Sequence, residues 1–77
     1  MKIGTVTTLY FYDAEGHDLW AEVKYVGKTK QGEYGFKSVI YGWMYLVSQD
    51  LQTVTDYNGE KYKANTERAW AYCIRNS

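Results

Sequence analysis

The chain has 77 residues, nine of them basic and nine acidic, for a formal net charge of zero. That length predicts one domain over residues 1–77 with a thin core, and the neutral balance argues against a basic arm that grips DNA through its phosphates. Cys73 is the only cysteine and His17 the only histidine, so an internal disulfide is excluded and a Cys–His metal centre has no ligand set.

Residues 5–12 are rich in β-branched and aromatic side chains and predict a strand. A turn over 13–17 follows. Residues 18–26 alternate, with Leu19, Ala21, Val23 and Tyr25 on one face and Asp18, Trp20, Glu22 and Lys24 on the other. This is the pattern of a half-buried antiparallel strand paired with the first. A polar loop spans 27–32. Residues 34–47 are apolar on both faces and predict one long central strand, with a helix over 38–47 as the competing reading. Gly42 and the β-branched and aromatic content weigh against that helix.

Residues 51–57 and 60–64 predict a hairpin about Asn58-Gly59, a strong short-range turn signal. A two-residue loop would set Tyr57 opposite Glu60 and Asp56 opposite Lys61. Leu51, Thr53, Thr55, Tyr57, Tyr62 and Ala64 would then share the inner face. A C-terminal helix is expected after an N-cap at Asn65-Thr66, with Glu67 in its first turn. Ala69, Trp70, Cys73 and Ile74 would form its buried stripe, and Arg68, Tyr72 and Arg75 an exposed ridge. The fold class expected is α+β: an antiparallel sheet of about five strands, built from hairpins, with one C-terminal helix packed on one face.

Motifs that carry chemistry are scarce. Gly27-Lys28-Thr29 lacks the earlier glycine of a phosphate loop, since that position is Glu22. Asp13, Glu15, His17 and Asp18 crowd one turn and do not converge from separate elements. Cys73, placed near a helix C-terminus, reads as a buried structural thiol. No cofactor and no enzymatic reaction is implied.

Two signals point to binding. Aromatic residues make up 18% of the chain, more than so thin a core conceals. Trp20, Tyr41, Trp43 and Tyr45 would lie on the sheet face away from the helix and form a protein-binding surface, or one that pairs two copies of the chain. Alternatively the rings pack among themselves with their polar ends wet. The second signal is basic residues with interleaved rings. Lys24, Lys28, Lys30 and Lys37, with the Arg68, Tyr72 and Arg75 ridge, would suit a single-stranded nucleic acid.

In size and composition the chain resembles the short accessory proteins of phages and mobile elements, which act by binding and blocking a host protein. The leading expectation is therefore a non-enzymatic protein-binding module, an inhibitor or regulator acting through an aromatic sheet face or a sheet edge. Single-stranded nucleic-acid binding comes second, and a small-molecule or nucleotide-signal binder at a dimer interface third. No apolar run approaches the roughly 18 residues of a membrane span. Residues 1–5 form no hydrophobic signal core, and with one free cysteine the expectation is a cytoplasmic protein with no membrane partner.

Overall fold

Five short turns of one design decide the course of the chain. They open on Asp13, Thr29, Ser38, Ser48 and Asp56, whose side-chain oxygens accept backbone N–H groups from within the turn. Short polar side chains favour this local bonding over regular structure. Near the end of each turn sits a residue of positive φ: Gly16, Gly32, Gly42, Leu51 and Gly59. At Asp56, the amides of Asn58 and Glu60 each donate to Oδ1 at 2.9 Å. The Gly59 amide donates to the Asp56 carbonyl at 3.0 Å. Gly59 takes φ 81°, which glycine reaches without a Cβ clash. The result is a three-residue loop with a left-handed closing residue, and 13–17 and 29–33 repeat it. The amide of His17 holds the Asp13 carboxyl below the ordinary aspartate range, and the Ser48 hydroxyl does the same for Asp50.

The computed structural model describes residues 1–76. Between the turns run β1 (Val6–Tyr12), β2 (Asp18–Lys28), β3 (Tyr34–Ser38), β4 (Met44–Val47), β5 (Thr53–Thr55) and β6 (Lys61–Ala64), followed by α1 (Ala69–Arg75). Each strand pairs antiparallel with the next. β6 then returns to β1, with Phe11 opposite Ala64 and Tyr12 opposite Lys63, and the sheet closes into a six-strand barrel. The predicted open sheet of about five strands is corrected in this respect, while the broad class, mostly antiparallel strand with one C-terminal helix, stands.

The extra strand comes from 34–47. Ser38 and Gly42 fold this segment back on itself, so Phe36 pairs with Tyr45 and Lys37 with Met44. A tight turn occupies 39–42, where one continuous strand was expected. The last hairpin is also corrected. Its loop has three residues, so Thr55 faces Lys61 and Val54 faces Tyr62. A slip of one residue reverses the faces. Val54 is fully buried and Tyr57 lies outside. Asp56 accepts a hydrogen bond from the Tyr62 hydroxyl at 3.1 Å, and Lys61 reaches Thr55 instead.

Inside the barrel the strands alternate cleanly. Leu9, Phe11, Val23, Tyr25, Phe36, Tyr45, Val47, Val54 and Ala64 form the core, with Leu51 held inward at φ 63°. The left-handed conformation costs a non-glycine residue about 1–2 kcal/mol. Burying a leucine side chain contributes roughly 1.5–3 kcal/mol and offsets it.

α1 packs against β1 and buries Trp70, Ala71 and Ile74. The predicted stripe was partly misplaced: the helix, which begins at Ala69 with Arg68 as its N-cap, docks through a face centred on Trp70, Ala71 and Ile74. Ala69 and Cys73 are therefore exposed. Asn65 does not cap the helix but anchors it. Its amide donates to the Tyr10 carbonyl at 3.0 Å and its carbonyl accepts from Trp70 Nε1 at 2.9 Å. Its side chain donates to Asp18 at 3.1 Å and accepts from the Glu67 amide at 3.2 Å.

Trp70 is fully buried and its indole N–H is bonded, which separates two variants. Trp70→Ala is expected to cost about 3–5 kcal/mol by urea denaturation. Trp70→Phe, which keeps most packing but orphans the Asn65 carbonyl, is expected to cost about 1–3 kcal/mol. Tyr72→Ala, on the exposed side of the same helix, should stay within about 0.5 kcal/mol of the parent.

Candidate docking surface

Successive strands run in opposite directions, so the turns at 13–17, 39–42 and 56–60 share one end of the barrel. The 39–42 turn is the unusual one. Its residues are apolar, and the turn geometry points them away from the core: Val39 is 53% exposed, Ile40 77% and Tyr41 65%. Ordinary hairpin turns are polar; this one presents a hydrophobic tip.

Three rings form a column beside it. Tyr41 stacks on Trp43 with centroids 4.4 Å apart and planes 16° from parallel. Trp43 stacks on Tyr57 at 4.3 Å and 24°. The column joins the β3–β4 turn to the β5–β6 turn. Trp20, on the outer face of β2, is 65% exposed. Between Trp20 and the column lies a shallow groove of about 250 Å³, lined also by Glu22, Ile40, Ser38 and Tyr45. Tyr45 and Ser38 are buried and make its floor.

All four residues expected to bind protein, Trp20, Tyr41, Trp43 and Tyr45, therefore meet at one groove. Their setting differs from the expectation in two ways. A closed barrel has no free edge and its second face is the convex exterior, so the surface is a turn and a strand exterior. Tyr45 packs 6.0 Å from Phe11 and belongs to the core. Burial, with the nearby Asp56 and Tyr57 adding to it, pushes the Tyr45 hydroxyl pKa up. The hydrogen bond to Asp56 pushes that of Tyr62 up as well. Ile40 and Tyr57 were missed as surface residues. The Thr/Asp-to-glycine spacing that recurs at 13–16, 29–32 and 56–59 was the signal for Tyr57, and Ser38 followed four residues later by Gly42 the weaker one for Ile40.

The basic candidates do not gather. Lys24 and Lys37 are opposed across β2 and β3 and line a separate depression with Val6, Val39 and Gly42. Lys28 lies over the Tyr34 ring at 5.0 Å, and Lys30 is in the 29–33 turn at the other end of the barrel. The expected ridge on α1 is split. Arg68 turns to Asp18 at 2.8 Å and covers the Tyr10 ring at 4.3 Å. Tyr72 instead lines a depression with Met1, Lys2 and Cys73, and Arg75 is exposed near the helix end. The three turns at the aromatic end hold Asp13, Glu15, Asp56 and Glu60 against His17 alone.

Ligand atoms of Asp13, Glu15 and His17 lie within 4.8 Å of one another. One Asp13 oxygen is already committed to the turn amides, and the other sits 3.4 Å from His17 Nδ1. This arrangement is that of a capped hairpin. Among the described residues no helix is long and apolar enough to cross a membrane.

Comparison with protein-family models, with curated proteins and with solved structures finds no match for the chain.

The three tryptophans should report this geometry separately. With the other two replaced by phenylalanine, Trp20 is expected to emit at long wavelength and be quenched freely by acrylamide. Trp43, held between two rings, should be quenched less. For Trp70, the Trp20→Phe/Trp43→Phe double variant should emit at short wavelength and resist quenching. Equal quenching of all three would contradict the burial described.

Proposed function

We propose that this chain is a non-enzymatic protein-docking module that acts by covering a surface of a larger partner, as an inhibitor or regulator does. The observation that carries this reading is the grouping of Trp20, Ile40, Tyr41, Trp43 and Tyr57 at one end of the barrel, all substantially exposed. Scattered surface hydrophobics are normal, whereas a contiguous cluster on a small soluble body marks an interaction site. Trp and Tyr are the residue types that most often dominate interface energetics. The column Tyr41–Trp43–Tyr57 is also preorganised, which lowers the entropy lost when a partner settles on it.

Single-stranded nucleic acid comes second. Lys24 and Lys37, opposed without a carboxylate between them, are the observation in its favour. Against it, both faces of Trp43 are occupied by neighbouring rings, so they offer no platform for a base. The acidic turns at the same end would repel phosphates.

Ile40 tests the reading more cleanly than Trp43. Its side chain is 77% exposed, so Ile40→Asp should leave stability within about 0.5 kcal/mol. Trp43→Ala removes two ring stacks worth roughly 0.5–1.5 kcal/mol each. In cross-linking from native cells, a discrete protein should join the parent chain and Lys30→Glu, but not Ile40→Asp. An identical cross-linking pattern for all three would sink the proposal.

A further inference from the structure

The groove between Trp20 and the Tyr41–Trp43 stack restricts what can occupy it. Its backbone is already paired. The Val39 amide donates to the Glu22 carbonyl at 3.0 Å, the Ser38 amide to the Trp43 carbonyl at 2.7 Å, and the Tyr41 amide to Ser38 Oγ at 3.1 Å. A strand laid in the groove would find no ladder to join, so β-augmentation is unavailable. What the groove does offer is the Trp20 ring on one wall and, on the other, Tyr41 with the edge of Trp43, whose two faces are already stacked.

A polyproline II segment matches these terms. It has no internal hydrogen bonds, keeps its backbone solvated, and docks its pyrrolidine rings between aromatic side chains at low entropic cost. Charge adds a second requirement. Glu22 stands two residues from Trp20 on β2 and shares its outward face, roughly 6–7 Å away. Among the described residues its carboxylate makes no ion pair or hydrogen bond. Asp13, Glu15, Asp56 and Glu60 sit in the turns at that end. Glu22 is the one charged side chain that lines the groove, so a cation is the charge the groove itself can pair. Lys24, the next outward residue after Glu22 on β2, and Lys37 line the adjoining depression, which shares Ser38 with the groove.

We propose that this groove binds an extended, proline-rich peptide segment carrying one arginine or lysine. The prolines would lie between Trp20 and the Tyr41–Trp43 wall, and the cation would pair with Glu22. This inference rests on the docking-surface reading and names its partner's chemistry.

The test is a titration of the isotope-labelled full chain with a synthetic peptide of three Pro-Pro-Ala repeats ending in arginine, followed by nuclear magnetic resonance. Saturable shifts are expected at the indole N–H of Trp20 and Trp43, and none at Trp70. A peptide with glycine in place of proline should leave all three unmoved. Glu22→Gln should weaken the arginine-ended peptide about two- to fivefold, within the range of an exposed ion pair. The same variant should leave an alanine-ended peptide unaffected, and Lys37→Gln should weaken neither. Unmoved indoles at millimolar peptide, or equal shifts with the glycine peptide, would overturn the polyproline assignment. A Glu22→Gln variant of full affinity would overturn the cation contact. Dimerisation of the chain abolished by Ile40→Asp would assign the groove to a second copy instead. In the peptide-negative cases the docking surface itself is judged separately, by the Ile40→Asp cross-linking.

Discussion

The seam between β6 and β1 closes this barrel, and Asn65, bonded to Tyr10 across it and to the Trp70 indole beneath it, is what extends a pairing as short as that of β4 with β5. Only two residue pairs join the strands there, Phe11 with Ala64 and Tyr12 with Lys63. β5 and β6 are three and four residues long. Below the seam, the chain leaves the sheet and α1 takes its place against β1. Asn65 stands at that junction, buried, with its amide, carbonyl and both side-chain polar atoms bonded. One of those bonds fixes the Trp70 indole, the largest fully buried side chain. An unpaired polar group at this depth would cost about 1–3 kcal/mol, a large part of the stability of a domain this small. Neither a disulfide nor a Cys–His metal site is available to share the task.

Closure has a consequence for function. An open sheet could expose an edge or a flat face, and a closed one exposes only its convex exterior. Surplus rings must then lie on the outer surface of strands or in turns. Here they lie in both, with Trp20 on β2 and the Tyr41–Trp43–Tyr57 column bridging two turns. The turns at the aromatic end carry Asp13, Glu15, Asp56 and Glu60, with Lys37 beside Gly42 and Lys61 directly after the 56–60 turn as basic neighbours. A partner that uses this end meets rings and carboxylates together, which suits a basic, apolar segment better than a phosphate backbone.

Local patterns of strand and turn were legible in the sequence, and the register was not. The alternation in β2 placed Val23 and Tyr25 inside and Trp20 outside, because period-two burial acts on each residue directly. The hairpin about Asn58-Gly59 was also evident, but its loop length was misjudged. Asp56 binds two turn amides through its side chain and draws a third residue into the loop, and a one-residue shift turned Tyr57 outward. The segment 34–47 looked like one strand because its apolar residues continue through the turn. Nothing in their hydrophobicity distinguishes Phe36, which is buried, from Ile40, which is not. Ser38 and Gly42 carried that information, at a spacing one residue longer than in the other glycine turns. Helix periodicity placed Trp70 and Ile74 correctly. It failed at Cys73 because the face that docks on β1 is rotated toward Ala71, which leaves Cys73 exposed. The four residues of the aromatic groove were identifiable by type, but their meeting depends on a fold-back that pairs Phe36 with Tyr45.

Everything proposed about the surface depends on that fold-back at 39–42. Nuclear Overhauser contacts in the free chain measure it directly. The hairpin requires cross-strand backbone contacts between Phe36 and Tyr45 and between Lys37 and Met44, together with ring contacts between Trp43 and Tyr57. A continuous strand through 34–47, with only sequential contacts from Ser38 to Trp43 and none between the Trp43 and Tyr57 rings, would contradict the closed barrel and the groove built on it.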